Sequence, residues 1–218
     1  MTYMAPKTKS PQDRELLRML ILDAARSLFV ERGIEAVSMR VIAKQIGCSA
    51  TMLYNYFADK EALLQALCDT DFLALATEMR EIMQISCPIL RIRAFCKGYA
   101  QFALQHPGHY RFMFMTPRAP CNLEITDIEQ GNTEQDAYAQ LQIVVTSAFD
   151  AGLFREELQD SELIAQTLWA GVHGVCSLEI ALGNDVWMEW TAIEARLGLM
   201  QEVMLRGLLR ESVGTIAH

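Results

Sequence analysis

From Arg14 onward, apolar residues fall at helical intervals. Leu17, Leu20, Ile21, Ala24 and Leu28 recur at i, i+3, i+4 and i+7 spacing, with Ala25 and Phe29 widening the stripe. Gly33 follows, where a helix end calls for a left-handed residue. Ser38 is placed to cap a short helix holding Val41, Ile42, Ala43 and Ile46, which Gly47 stops. Ser49 caps a third helix through Leu53, Tyr54 and Tyr56. Asp59 caps a fourth, opened by Lys60 and Glu61 and striped with Leu63, Leu64, Leu67, Phe72, Leu75, Met79, Ile82 and Met83. After Cys87-Pro88 the pattern predicts a helix over 89–105. His106-Pro107-Gly108 breaks it, and a short amphipathic turn follows over 110–115. Residues 116–136, with Pro117, Pro120 and Gly131, predict a long irregular loop. Periodicity returns over 137–150, and Gly152 ends it. Asp160 or Ser161 caps a helix to about Leu182, closed by Gly183-Asn184, and a last helix spans 186–209. No segment alternates with period two, so the expected fold class is all-α, with about nine helices.

Composition narrows the classes. A chain of 218 residues with 51% hydrophobic and 21% charged side chains has the material for one or two domains with a buried core, and it is not of the disordered type. No apolar run approaches the roughly 20 residues that span a bilayer, and residues 1–10 lack the apolar stretch of a secretory signal. The expectation is a cytoplasmic protein without membrane contact. The net charge of -8 disfavours nucleic acid until it is divided: residues 1–68 sum to +2 and residues 69–218 to -10. Such a head can approach phosphate while the body repels it. The six cysteines show neither CxxC nor Cys/His ligand spacing, so no metal site and no cofactor are expected. They read as small core residues or as a redox switch. No paired carboxylate, nucleophile–base arrangement or Gly-rich phosphate loop is present, so the chain is not expected to be an enzyme. His106 and His109 near Tyr110 form the one tempting cluster, and they fall in a turn.

The segment from Ser38 to Leu63 reads SMRVIAKQIGCSATMLYNYFADKEAL. Two short helices meet at Gly47 across a turn of three to four residues, the spacing of a helix-turn-helix. Ala43 is small where the helices cross, and Ile42, Ile46 and Leu53 supply a common core. Ser38-Met39-Arg40-Val41-Ile42-Ala43, Gly47-Cys48-Ser49, Leu53-Tyr54-Asn55-Tyr56-Phe57 and Lys60-Glu61-Ala62-Leu63 together resemble the TetR family of bacterial transcription regulators, over roughly residues 15–68. Cys48 departs from the β-branched residue common there, and Asn55 from the usual aromatic or His. The resemblance implies a third helix lying in the DNA major groove. Ala50, Thr51 and Met52 would face base edges, Tyr54 and Tyr56 would lie near phosphates, and Ser49 and Asn55 would complete the DNA-facing set. The chemistry is compatible. Thr51 and Met52 suit thymine methyls, and Arg40 suits guanine. The backbone N–H groups of Ser38 and Met39, and Lys60 at the next helix start, suit phosphate. Core packing of Tyr54 or Tyr56, and a merely solvated Arg40, stay open as readings.

In the body, Trp169-x-x-x-His173-Gly174 resembles the C-terminal domain subclass of this family named for its Trp-His-Gly motif, and residues 106–114 resemble the segment that precedes its variable loop. Trp169 and His173 stand at i, i+4 on one face. Gly171 and Gly174 each cost up to ~1 kcal/mol in mid-helix, which points to a close neighbour. His173 reads either as a hydrogen-bonded core histidine or as a polar anchor at a pocket rim. Phe72, Met79, Phe95, Tyr99, Phe102, Met113, Tyr138 and Trp169 are soft, adaptable side chains that form either ordinary core or the lining of an effector pocket. Tyr99, Tyr138 and His173 are the candidate polar anchors.

Residues 1–13, with two Pro, two Lys and no periodicity, read as a flexible basic arm; the resemblance implies a helix-turn-helix DNA-binding domain over 14–60 and an effector-binding and dimerisation domain over 61–218. It also implies a homodimer built on the last two helices, with Leu197, Leu199, Met200, Val203 and Met204 as apolar surface, binding a palindromic double-stranded operator. A small apolar or aromatic effector would release it by moving the DNA-binding heads apart. An all-helical enzyme, or an interaction module without DNA contact, are the alternatives.

Overall fold

The computed structural model describes residues 10–117 and 126–211. Residues 1–9 of the arm expected over 1–13, residues 118–125 of the loop expected over 116–136, and with them Cys121, lie outside those described. Among the described residues the fold consists of helices: α1 (Pro11–Arg32), α2 (Met39–Gln45), α3 (Ala50–Tyr54), α4 (Lys60–Met79), α5 (Pro88–Gln105), α6 (Pro107–Tyr110), α7 (Ala137–Asp150), α8 (Ser161–Leu182) and α9 (Ile193–Leu208). A 3-10 turn, Arg80–Gln84, prolongs α4, and a π-helical turn, Arg111–Met115, prolongs α6.

Local chemistry sets the boundaries. Ser38, Ser49, Asp59 and Asp160 cap their helices by accepting from backbone N–H groups within the first turn. The last three residues of the expected arm are helical instead. Ser10 and Asp13 form a reciprocal capping box, with bonds of 3.1 Å each way, and Pro11 fits the first helical position. α5 stops at Gln105 because Pro107 excludes His106 from helical geometry; His106 sits at φ -122°, ψ 56°. The last helix begins at Ile193, seven residues later than its periodicity suggested. Asp185 turns the chain by accepting from the Trp187 N–H at 2.8 Å. The Trp190 indole then donates to the Leu182 carbonyl at 3.0 Å, and the Arg196 guanidinium lies 4.7 Å over its ring.

The chain divides into two compact units, one from the described residues of Met1–Asp69 and Gly108–Asp127, the other from those of Thr70–Pro107 and Ile128–His218. In the first, α1 to α3 and the start of α4 surround a core of Ile21, Leu22, Phe29, Ile42, Leu53, Leu63 and Leu67. Phe112 of the π turn enters that core fully buried, its ring 6.2 Å from Phe29. The same returning segment is held at its far end by Asp69. That carboxylate accepts from Gln65 (2.8 Å), the Thr126 hydroxyl (2.7 Å) and the Asp127 backbone N–H (3.0 Å).

In the second unit α5, α7, α8 and α9 pack around Ile92, Phe95, Phe102, Val144, Val145, Ile164, Leu168 and Cys176. Gln140, fully buried on α7, donates to the carbonyls of Ala76 (2.9 Å) and Thr133 (2.6 Å). It thereby satisfies a carbonyl near the point where α4 tightens into its 3-10 turn. Gly171 has the close neighbour expected of it: a Cβ there would fall 2.3 Å from the Met204 sulfur of α9, whereas Gly174 has nothing within 4 Å. The end of α9 is tied to the segment after α7 by a single antiparallel bridge, Phe154 to Leu209.

Phe112→Ala is expected to lower the stability of the first unit by ~3–5 kcal/mol, because it removes a fully buried ring from a closed core. Leu16→Ala, at an exposed position of α1, is expected to shift it by less than about 0.5 kcal/mol. Urea unfolding of the two variants measures the contrast.

Candidate functional site

α2 ends in a Schellman turn. Cys48 N–H donates to the Ala43 carbonyl at 2.9 Å and Gly47 N–H to the Lys44 carbonyl at 3.2 Å, with Gly47 at φ 69°. The turn delivers Ser49, whose hydroxyl accepts from Met52 N–H at 3.2 Å and starts α3. Leu53 is fully buried and anchors this five-residue helix. Thr51, Tyr54 and Asn55 are exposed, Tyr54 by half of its surface. Ala50 and Met52 are half-buried.

Around α3 the structure arranges the other expected DNA-facing residues unevenly. Ser38 is exposed, and its hydroxyl is taken up in capping Val41. The Met39 side chain is buried in the core, so only its backbone can serve a ligand. Arg40 is exposed. Tyr56 is half-buried, with the Arg14 guanidinium 5.8 Å from its ring. Lys60 is half-buried and donates to the Ile34 carbonyl at 2.5 Å, pinning the start of α4 to the α1–α2 connection. Three basic residues outside the expected set join this surface. Lys44 is exposed beside Arg40 on α2; Arg14 and Arg18 reach from α1 over Tyr56 and Phe57. The i, i+4 spacing of Arg14 and Arg18 was the legible signal for that pair.

The second unit holds a very small cavity of about 10 Å³ between α5, α7 and α8, room for about one water molecule. Phe95, Cys96, Tyr99, Leu141, Leu168, Trp169 and Val172 line it. Of the expected pocket residues, Phe95, Tyr99 and Trp169 are therefore brought together. His173 joins them through a 3.0 Å hydrogen bond between its Nδ1 and the Tyr99 hydroxyl, and Tyr138 sets its ring 5.8 Å from Trp169. Phe72, Met79 and Phe102 are not among the residues lining this cavity. Met79 packs beneath Gly98, and Phe102 lies 5.2 Å from the His106 ring. Met113 belongs to the π turn of the first unit. Cys96, Leu141, Leu168 and Val172 were not foreseen. Cys96 precedes Tyr99 by three positions and Val172 follows Trp169 by three, so helical spacing from the two aromatics was the available signal.

Charge at the cavity is restrained. Burial holds the His173 imidazole below its ordinary value and pushes the thiols of Cys96 and Cys176 up to about 11 and about 12. Hydrogen bonds from Gln142, Tyr138 and Gln166 keep the Glu162 carboxyl, at the start of α8, below its usual range. Among the described residues no group of three or more His, Cys, Asp or Glu is arranged to hold a metal ion. No helix among them is long and apolar enough to cross a membrane.

Partial burial disfavours protonation of the half-buried His173 imidazole, so it takes up its proton more readily in the unfolded chain than in the folded one. Stability from this residue is therefore complete above the ordinary value of 6.5 and is lost as pH falls below it. Between about pH 7 and pH 5 the melting temperature is expected to fall more steeply in the parent protein than in His173→Gln, which retains an acceptor for Tyr99. Circular dichroism melts at stepped pH measure the two slopes.

The geometry stands beside clear likenesses. A model of the bacterial regulatory proteins of the TetR family matches residues 21–67, and a tetracyclin repressor-like C-terminal domain model matches residues 92–189. Together they take in about two thirds of the chain. An uncharacterised HTH-type transcriptional regulator of Mycobacterium tuberculosis is 40% identical over 117 residues, which is 53% of this chain and 57% of that protein. The chain thus spans little more than half the length of this relative. Among solved structures, a TetR family transcription regulator from Marinobacter aquaeolei superposes with a TM-score of 0.73 at 18% identity, covering 93% of this chain and all of that one. The transcriptional regulator FadR from Bacillus subtilis, solved in complex with stearoyl-CoA, superposes with a TM-score of 0.68 at 19% identity, covering 87% and 98%. These two show a shared fold. The amino-terminal match coincides with the helix-turn-helix, and the carboxy-terminal one with the helices that line the cavity and carry Trp169, His173 and Gly174: the chain belongs to the TetR family of bacterial regulatory proteins.

Proposed function

We propose that the protein is a DNA-binding transcriptional regulator, a repressor, which grips a palindromic operator as a homodimer and lets go when a small apolar or aromatic molecule occupies the body. The observation that carries this reading is the outward face of α3. One buried residue, Leu53, holds the helix, while Thr51, Tyr54 and Asn55 are left to solvent, as are Arg40 and Lys44 on α2. Side chains of this kind at the exposed end of a helix-turn-helix read base edges and flanking phosphates. In this reading Ala50, Thr51 and Met52 meet base edges. Ser38, Met39, Ser49, Asn55, Tyr54, Tyr56 and Lys60 line the backbone path, with Arg14 added to it.

So short a helix reaches only a few base pairs, and specificity needs a second copy about one helical turn away. The faces of α8 and α9 support that partner. Leu163, Leu178 and Leu182 on one helix and Leu199 and Val203 on the other are exposed. Gly174 and Gly198 have no atom within 4 Å of where a Cβ would stand. Exposed apolar side chains on both helices are what a partner's helices would bury. The cavity at Phe95, Tyr99 and Trp169 is the effector site in this reading. A ligand there changes DNA affinity only if it binds the DNA-competent and incompetent forms unequally.

Fluorescence anisotropy against duplexes from the gene's own upstream region tests the proposal. Affinity is expected to fall steeply with added salt as phosphate counterions are displaced. Arg40→Ala is expected to cost ~1–3 kcal/mol and to relax the preference at one base position. An unchanged preferred sequence after binding-site selection contradicts the role given to Arg40, and salt-independent or absent binding contradicts the whole reading. Leu199→Glu, placing a charge on the exposed face of α9, is expected to give a monomer in sedimentation velocity and to lose operator affinity with it.

A further inference from the structure

The connection between α8 and α9 leaves three consecutive large apolar side chains in water. Val186 is 100% exposed, Trp187 90% and Met188 48%. Tryptophan has among the largest apolar surfaces to bury and is highly buried on average in folded chains. The backbone that carries it here is tied at both ends. Asp185 N–H donates to the Leu182 carbonyl, and the Asp185 carboxylate accepts from the Trp187 N–H, both at 2.8 Å. The Trp190 indole donates to the same Leu182 carbonyl at 3.0 Å. Arg196 lies over that indole, donates to the Thr191 carbonyl at 3.0 Å and pairs with Glu179 of α8. One tryptophan of the turn therefore fastens it, and the other projects from it. A turn fixed in this way has little backbone freedom left to lose when its projecting ring is covered.

Charge and area narrow what can cover it. Asp185 and Glu189 flank the three apolar residues, and no Lys or Arg stands between Arg155 and Arg196. Acidic flanks repel the anionic headgroups of a membrane surface and the phosphates of nucleic acid. The turn is also continuous with the apolar faces already described: Leu178 and Leu182 are exposed at the end of α8 just before it, and Leu199 and Val203 on α9 after it. A stable protein–protein contact buries about 800 Å² on each partner. The leucines of α8 reach water with only about half of their surface, so the helix faces alone supply little of that area. Trp187 offers on the order of 200 Å² in one side chain, about a quarter of the requirement. Tryptophans that become fully covered at an interface are among its strongest anchors.

We propose that the α8–α9 turn anchors a second copy of this chain, with Trp187, flanked by Val186 and Met188, buried on the partner subunit and the partner's turn buried in return. This rests on the homodimer reading and adds to it that the turn, beyond the helix faces, holds the copies together. Sedimentation velocity of the full chain over a concentration series tests it. Trp187→Ala removes a side chain with little contact inside its own subunit, so native helicity is expected; the dimer Kd is expected to rise at least about thirtyfold. Val186→Asp, at a fully exposed position, is expected to weaken the dimer as well, because it would bury a charge. An unchanged Kd in both variants, with Leu199→Glu still giving a monomer, overturns this proposal and leaves the homodimer reading standing. A parent protein that is monomeric at every concentration overturns both. Flotation with vesicles of phosphatidylcholine and phosphatidylglycerol is expected to leave the parent protein unbound; vesicle binding that Trp187→Ala abolishes assigns the turn to a lipid surface and overturns the proposal.

Discussion

A helix of five residues does not hold itself together in water, because nucleating the first turn costs more than so few backbone bonds return. α3 persists through Leu53. That side chain has no exposed surface, and it fixes the rotation of the helix about its axis as well as its place. At about 100° per residue, one buried position dictates which neighbours face out, and here these are Thr51, Tyr54 and Asn55. The Schellman turn at Gly47 and the Ser49 cap supply the backbone partners that α2 and α3 cannot find within themselves. The outward chemistry of the first unit is thus a by-product of one inward contact.

The second unit solves a different problem, that of packing long helices around large rings. α8 carries Trp169 and His173 on the face toward α5 and α7, and it drops to a glycine at 171 where Met200 and Met204 of α9 lie against it. The bulk on one side and its absence on the other come from the same turn of helix. Polar pins close what apolar packing leaves: Gln140 bridges two backbone carbonyls, Gln201 reaches the Arg93 carbonyl at 3.0 Å, and Arg196 pairs with Glu179.

Much of this was legible from residues alone, in a way that follows the range of the interactions. Caps at Ser38, Ser49, Asp59 and Asp160 act within one turn, and they could be read from the chain directly. The bounds of α7 and α8 followed from clean periodicity between strong breakers. The start of α9 did not, because Val186, Trp187 and Met188 look helical in pattern while the Asp185 turn and the Trp190 anchor, both dependent on neighbours in space, keep them out of a helix. The cavity was half legible. Its aromatics announce themselves, but Cys96, Leu141, Leu168 and Val172 become lining only through the relative rotation of three helices. Nothing local in Phe112 says that it belongs with Phe29, eighty-odd residues earlier in the chain.

That last pairing bears on how the protein is made. The final residues that the first stretch of chain gives to its own core are Leu67 and Cys68, and the ring that closes it is not translated until some forty-four residues later. At about 5–20 residues per second, ribosomes leave the flank of Phe29 bare for roughly 2–9 s on every nascent chain. Through that interval the emerging polypeptide offers chaperones an apolar patch which the finished molecule no longer shows.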